Sequence, residues 1–312
     1  MEEEEEDHHQ QQQLLDRFWH TWYSSLQQNL LKDARSKSSK GFSRKKCPSV
    51  SRDTVHLMLR DTLAVVCGPR SAALLSYVHG HGQHTIHALR QIIGMMERDI
   101  VIGKKGEVSI MVSDGCLVLL KVDRLRDRAP PRGIAFLHEH QDNERSRDGG
   151  SMRPSWMTES EQQALDESLH RIVGCLASSL SPNRDGMDME QCLLEQGITL
   201  GMNGAPCPPT LYGWMLGYPV TYHVVSEDHA LQVSRCLSSD TLVLYTLQTR
   251  PHVMEEIDDT LMSFSIPQSL HGEMTEDMVE TWTEAIRRDC HQGLWSSLLV
   301  TKASKRVGSI VL

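Results

Sequence analysis

The chain has no basic leader followed by an apolar core. It opens Met-Glu-Glu-Glu-Glu-Glu-Asp, so no secretory signal is expected. No run approaches the roughly 18–20 apolar residues that a membrane span needs. There is no Asn-x-Ser/Thr glycan acceptor. The cysteines, at 47, 67, 116, 175, 192, 207, 236 and 290, nowhere form a Cys-x-x-Cys pair; such isolated residues read as reduced, mostly buried small apolar side chains. These absences set the expectation of a cytoplasmic or nuclear protein that is not secreted and has no membrane partner. Basic residues are also in deficit, 32 against 41 acidic, for a net charge of −9. Nucleic acid is an unlikely partner for such a chain, because duplex binding rests on Lys and Arg neutralising phosphates. Gly-x-Ser-x-Gly, the phosphate-loop motif and His-Glu-x-x-His are all missing, so no standard hydrolase, nucleotide-binding or zincin template applies.

What is present suits a globular protein: 312 residues, 39% apolar and 23% charged, enough for a sizeable core. Residues 1–13 are acidic, then His- and Gln-rich, and this composition predicts a disordered head. Over Leu14–Leu31, Leu15, Trp19, Trp22, Leu26 and Leu30 recur at helical spacing. This amphipathic helix either docks on the core or offers its face to a protein partner. Residues 32–46 carry seven Lys or Arg against one Asp and read as a basic linker. The remainder, 47–312, reads as one domain.

Within that domain apolar runs alternate with amphipathic helices. Val55, Leu59, Leu63 and Val66 mark a helix that stops at Gly68-Pro69. "AALLSYV" (72–78) reads as a buried interior strand, followed by a glycine-rich turn and a helix from Gln83–His84 that carries Ile86, Leu89, Ile92, Ile93 and Met96. "DIVIG" (99–103), "EVSIMVS" (107–113) and "GIAFL" (133–137) read as strands, and "CLVLLKVDRL" (116–125) as helix or strand. An exposed loop is expected over 141–155. Thr158-Glu-Ser-Glu161 is a capping box opening a helix. "GITLGM" (197–202), "PVTYHVV" (219–225), "ALQVSRC" (230–236), "TLVLYTL" (241–247) and "TLMSFSIP" (260–267) favour strands. "TLYGWMLG" (210–217) favours a short helix after Pro208-Pro209, and Thr275 opens a last helix. The pattern implies an α/β fold: a mixed, mainly parallel sheet flanked by helices, with a disordered N-terminal extension.

"YGWMLGYPVTYHV" (212–224), "SFSIPQSL" (263–270), a Thr-Trp helix (281–282) and an apolar C-terminus together resemble the uncharacterised vertebrate family named after chromosome 1 open reading frame 74. The likeness runs from about Cys47 to Leu312. It implies kinship but lends no active site, cofactor or partner.

The residues that suggest chemistry lie in "SYVHGHGQHTIHALRQ" (76–91), with His79, His81, His84 and His87. Gly80-x-Gly82-x-x-Thr85 is only a partial dinucleotide fingerprint, with Thr in the third glycine's place and no acidic residue ending the next strand. His79 and His81 form one His-x-His pair, and His138 and His140 form a second after "GIAFL". Two such pairs at neighbouring strand ends would suit zinc, with an open position to activate water and Glu139 as a candidate base. Polar loop histidines are the competing interpretation. Trp214, Tyr218 and Tyr222 either line a pocket or pack a helix-to-strand corner. The function expected is a non-enzymatic intracellular binding or scaffold protein without a cofactor. The alternative is a metal-assisted, hydrolase-like enzyme, with zinc at the His79–His87 loop and His138 and His140 as further ligands.

Overall fold

A computed structural model describes residues 17–30, 51–77, 83–100, 108–128, 131–138, 152–180, 186–249, 260–290, 294–295 and 298–306. Its first element is a helix over residues 17–30, α1. Trp19, Trp22, Leu26 and Leu30 are all buried in the main core. The Trp22 indole donates to Asp99 Oδ2 at 2.9 Å, and Tyr23 meets His56 edge-on with ring centroids 4.8 Å apart. The apolar face that the sequence alone could have assigned to a partner is therefore occupied by the chain's own core.

Local signals set most of the helices. Ser51 caps α2 (Arg52–Val66), its hydroxyl accepting from the Thr54 amide. α3 (Gln83–Ile100) starts where the sequence places it and buries Ile86, Leu89, Ile92, Ile93 and Met96. It runs on through Asp99 and Ile100, the start of the expected "DIVIG" strand, because Ile100 continues the buried stripe. The Thr158–Glu161 capping box opens α5 (Glu159–Ser179) with both reciprocal bonds formed.

One sheet shows how the core is divided. β1 (Ala72–Leu75), β2 (Val108–Ser113), β3 (Cys116–Lys121) and the short β6 (Met187–Asp188) lie in the order β1-β3-β2-β6. Side chains alternate across a strand, and β3 uses both faces. Leu117 and Leu119 join the cluster containing α1–α3, while Val118 and Leu120 join the cluster containing α5 and two helices further along. Those are α6 (Met189–Glu195) and α7 (Pro208–Leu216). A second sheet, β5-β4-β7, is built from β4 (Arg132–His138), β5 (Met152–Trp156) and β7 (Val220–Tyr222). A third, β10-β8-β9, holds β8 (Thr241–Gln248), β9 (Thr260–Pro267) and β10 (Leu299–Arg306). There Tyr245 and Phe264 are cross-strand partners with rings stacked 5.2 Å apart, and Trp282 of α9 (Glu273–Asp289) meets Phe264 edge-on at 5.1 Å.

The chain is thus α/β with mixed sheets, as its alternating pattern implies, but the pairing is mainly antiparallel where mainly parallel was expected. Among the described residues, five of seven strand pairings are antiparallel; β2–β6 and β4–β7 are parallel. Hairpins explain much of this balance. β2 and β3 are joined by Asp114-Gly115, both at positive φ, as a tight hairpin requires.

Several sequence expectations are corrected. β1 is the end strand of its sheet and pairs antiparallel with β3, not an interior strand. "CLVLLKVDRL" is both alternatives in turn, β3 followed by α4 (Val122–Arg126). Residues 152–156, expected in a loop, form β5. "GITLGM" is a turn, with Gly197 and Gly201 at positive φ. "ALQVSRC" lies inside helix α8 (Glu227–Ser239), which Ser226 caps and Val233 and Leu237 anchor one turn apart. α9 starts at Glu273, two residues before Thr275. No helix among the described residues is long and apolar enough to cross a membrane.

Candidate functional site

The three stretches that carry the sequence resemblance come together. Tyr218 of "LGYPVTY" packs on Phe264 of "FSIPQSL" at 6.1 Å. The Tyr222 hydroxyl donates to the Ser265 carbonyl at 2.9 Å. The Trp282 indole donates to the Gly217 carbonyl at 2.8 Å. Beside this knot opens a cleft of about 950 Å³, lined from α4, α5, α9 and the α7–β7 corner. That volume lies within the range of small-molecule sites.

Each part of the cleft has a local cause. α7 ends at Gly217, whose φ of 96° makes it a left-handed cap and turns its carbonyl outward. Pro219 then delivers Val220 into β7, and its carbonyl accepts from the Arg132 amide at 2.9 Å. α4 closes after Arg126, and Arg128 reaches back under the corner. One of its terminal nitrogens donates to Ser71 Oγ at 3.2 Å and the other to the Gly217 carbonyl. Gln162 of α5 bridges the far wall: it accepts from the Gly133 amide at 2.8 Å and donates to the Pro131 carbonyl at 2.9 Å and to Asp166 at 2.7 Å.

The electrostatics centre on Arg128. Among the described residues, four arginines line the cleft, Arg124, Arg128, Arg132 and Arg288, with four aspartates, 127, 166, 277 and 289. Arg124 turns to Asp289 at 4.0 Å and also donates to the Gly68 carbonyl. Arg128 is half-buried and has no carboxylate within ion-pair reach among the described residues. Burial pulls its pKa down to about 10, opposed by the more distant Asp289, so it is still a cation at neutral pH. A guanidinium has five N–H donors; two are engaged here. Asp166 is shifted the other way: partial burial raises its pKa, opposed by the Gln162 bond and by His170. Tyr218, Met274, Met278, Trp282 and Ile286 supply an apolar wall. The arrangement can hold an anionic group at its base and a flat or apolar body against that wall.

The side chains of the four metal candidates read from the sequence, His79, His81, His138 and His140, lie outside the described residues. His138 ends β4 with only its backbone described. His87 lies on the exposed side of α3, contacting Gln91. No group of three or more potential metal ligands occurs among the described residues. Of the aromatic trio, Trp214 is fully buried core, Tyr222 is tied to β9, and Tyr218 alone lines the cleft. Sequence reasoning missed the arginines. A signal was there: Arg124, Arg126, Arg128 and Arg132 fall within nine residues around Pro130-Pro131, between two apolar strands.

The DUF4504 family, described as a domain of unknown function, matches residues 38–312. No curated protein and no solved structure matches. The chain belongs to the DUF4504 family.

Proposed function

We propose that this member of the DUF4504 family is an intracellular binding protein whose site is the cleft over Arg128. Its ligand is an organic anion, a carboxylate or phosphate carried on an aromatic or apolar body. The observation that supports the proposal is Arg128 itself. A half-buried cation with no carboxylate in ion-pair contact costs free energy unless something repays its desolvation, and an anion entering from solvent would do so. Arginine also suits carboxylates and phosphates, because its planar fork bonds them at two points. Trp282 and Tyr218 beside it offer the wall for a flat body. The same reading takes up the kinship with the family named after chromosome 1 open reading frame 74, since two of the stretches behind that likeness line the cleft and the third packs against them.

Isothermal titration of the full chain with phenyl phosphate and indole-3-acetate, against benzyl alcohol as neutral control, tests the idea. Both anions are expected to bind and the alcohol not. Arg128→Gln should weaken binding at least about tenfold, the loss of one charge-assisted contact, while Arg126→Gln, outside the cleft lining, leaves it unchanged. Indifference of both anions to Arg128→Gln, in protein that still melts cooperatively, would sink the proposal.

A further inference from the structure

A second cleft lies at the other end of α7. The helix is nine residues long, about 13 Å at 1.5 Å per residue. Its C-terminal end borders the arginine cleft, while Cys207 and Pro208 at its start line a separate groove of about 820 Å³. The floor of this groove is apolar, with Ile198, Leu200, Cys207 and Pro208. Two of its rim residues are large apolar side chains left in solvent, Leu194 at 55% and Met202 at 58% exposure. Val225, 49% exposed, is next to the rim residues Ser226 and Glu227. Scattered exposed apolar residues need no explanation, but several around one groove mark an interaction site.

Among the described residues the charge around this floor is of one sign: Asp114, Asp188, Glu190 and Glu227 line the groove, and no described Lys, Arg or His does. None of the four is ion-paired among the described residues. Asp188 accepts from the Gln191 amide at 2.8 Å as the cap of α6, Asp114 from the Tyr212 hydroxyl at 3.2 Å, and Glu190 from Ser113 Oγ at 3.3 Å. Asp114, Asp188 and Glu190 are held in place by α6, α7 and the β2–β3 turn, and Glu227 stands in the first turn of α8, so they are not a loose surface run.

We infer that this groove docks a lysine- or arginine-rich segment of a protein partner that carries apolar side chains between its charges. The apolar floor and rim take the anchors, and the four carboxylates take the cations. This pairing of an apolar trough with an acidic rim is the complement of a basic amphipathic peptide. The inference does not depend on the anion cleft, which uses different residues.

The test uses the full chain and a fluorescein-labelled 14-residue peptide of alternating Lys and Leu, followed by anisotropy. Binding should weaken as salt rises, because exposed charges are screened. Asp114→Asn/Glu190→Gln/Glu227→Gln should weaken it about tenfold, and Leu194→Ser/Met202→Ser several-fold; both target exposed side chains, so folding is retained. Glu280→Gln/Glu284→Gln, equal in kind but on α9, should leave it unchanged. The inference is overturned if the α9 variant loses as much as the groove variant, which would mean attraction to net charge alone. It is equally overturned if spermine competes as well as the peptide, which would make the groove a site for small polycations, or if Leu194→Ser/Met202→Ser binds like the unaltered protein.

Discussion

The indole N–H of Trp282 and the guanidinium of Arg128 converge on a single acceptor, the carbonyl of Gly217. That carbonyl faces them because Gly217 has a φ of 96°, and a Cβ at this position would lie 2.5 Å from Arg128 Nη1. Gly217→Ala therefore meets two penalties, the left-handed backbone and the displaced guanidinium. It should lower stability by about 1–2 kcal/mol from the backbone alone and weaken anion binding in the arginine cleft. Urea unfolding and titration with phenyl phosphate check both. Normal affinity in the variant would show that the position of Arg128 does not matter.

Trp22 ties α1 to the core: it is 1% exposed, and its N–H is held by Asp99. Trp22→Ala should cost about 3–5 kcal/mol, the range for deleting a buried large side chain. Deletion of residues 1–46, which removes α1 whole, should lower the melting temperature by many degrees. A truncated chain that melts like the full one would show that α1 contributes nothing to the fold.

Asp61 stands between two buried arginines. Its Oδ1 accepts from Arg60 Nη2 at 3.0 Å and from Arg70 Nη1 at 3.2 Å, and its Oδ2 from the Tyr77 hydroxyl at 2.8 Å. Among the described residues Asp61 is the carboxylate that Arg70 meets, so Asp61→Asn takes the countercharge from that buried cation and should cost about 3–5 kcal/mol. The urea midpoint measures this. A loss below 1 kcal/mol would mean that water reaches the arginines.

The Ser113 and Tyr212 hydroxyl oxygens are 2.6 Å apart, with Glu190 at 3.3 Å from the first and Asp114 at 3.2 Å from the second. Three contacts thus share two hydroxyl protons, and a proton on Glu190 would complete the chain. Partial burial raises the Glu190 pKa above its ordinary 4.5, helped by the charges of Asp114 and Asp188 and opposed by the Ser113 bond. The folded state therefore holds this proton more tightly than the unfolded chain. The resulting stabilisation is present below the ordinary value and is lost as pH rises through the raised one. Glu190→Gln keeps a donor at every pH, so its stability relative to the unaltered protein should improve between pH 4 and pH 7. Urea midpoints for both proteins that run parallel across that window would refute the shared-proton chain.

The sequence by itself determined the elements whose causes are local. The Thr158–Glu161 capping box opens α5 with bonds that span three residues. The start of α3 and the extent of α2 follow from glycines, caps and an apolar stripe that any few turns of chain reveal. Where a local pattern is diluted, the sequence misled. Leu231 is 60% exposed, and its apolar side chain made 230–236 resemble a strand, although Val233 and Leu237 anchor a helix.

Strand order and the clefts were decided only by tertiary structure. Nothing within "AALLSYV" says that it will pair antiparallel with β3 at the end of a sheet, because pairing is a competition among strands distant along the chain. Arg128 became a site residue through Ser71, 57 residues away, and Gly217, 89 away. The four carboxylates of the second groove come from the β2–β3 turn and the starts of α6 and α8. Caps and periodicity act over a few residues and are written in order along the chain. A cleft is made where distant segments leave space and charge beside one another, and that placement exists only once the core has closed.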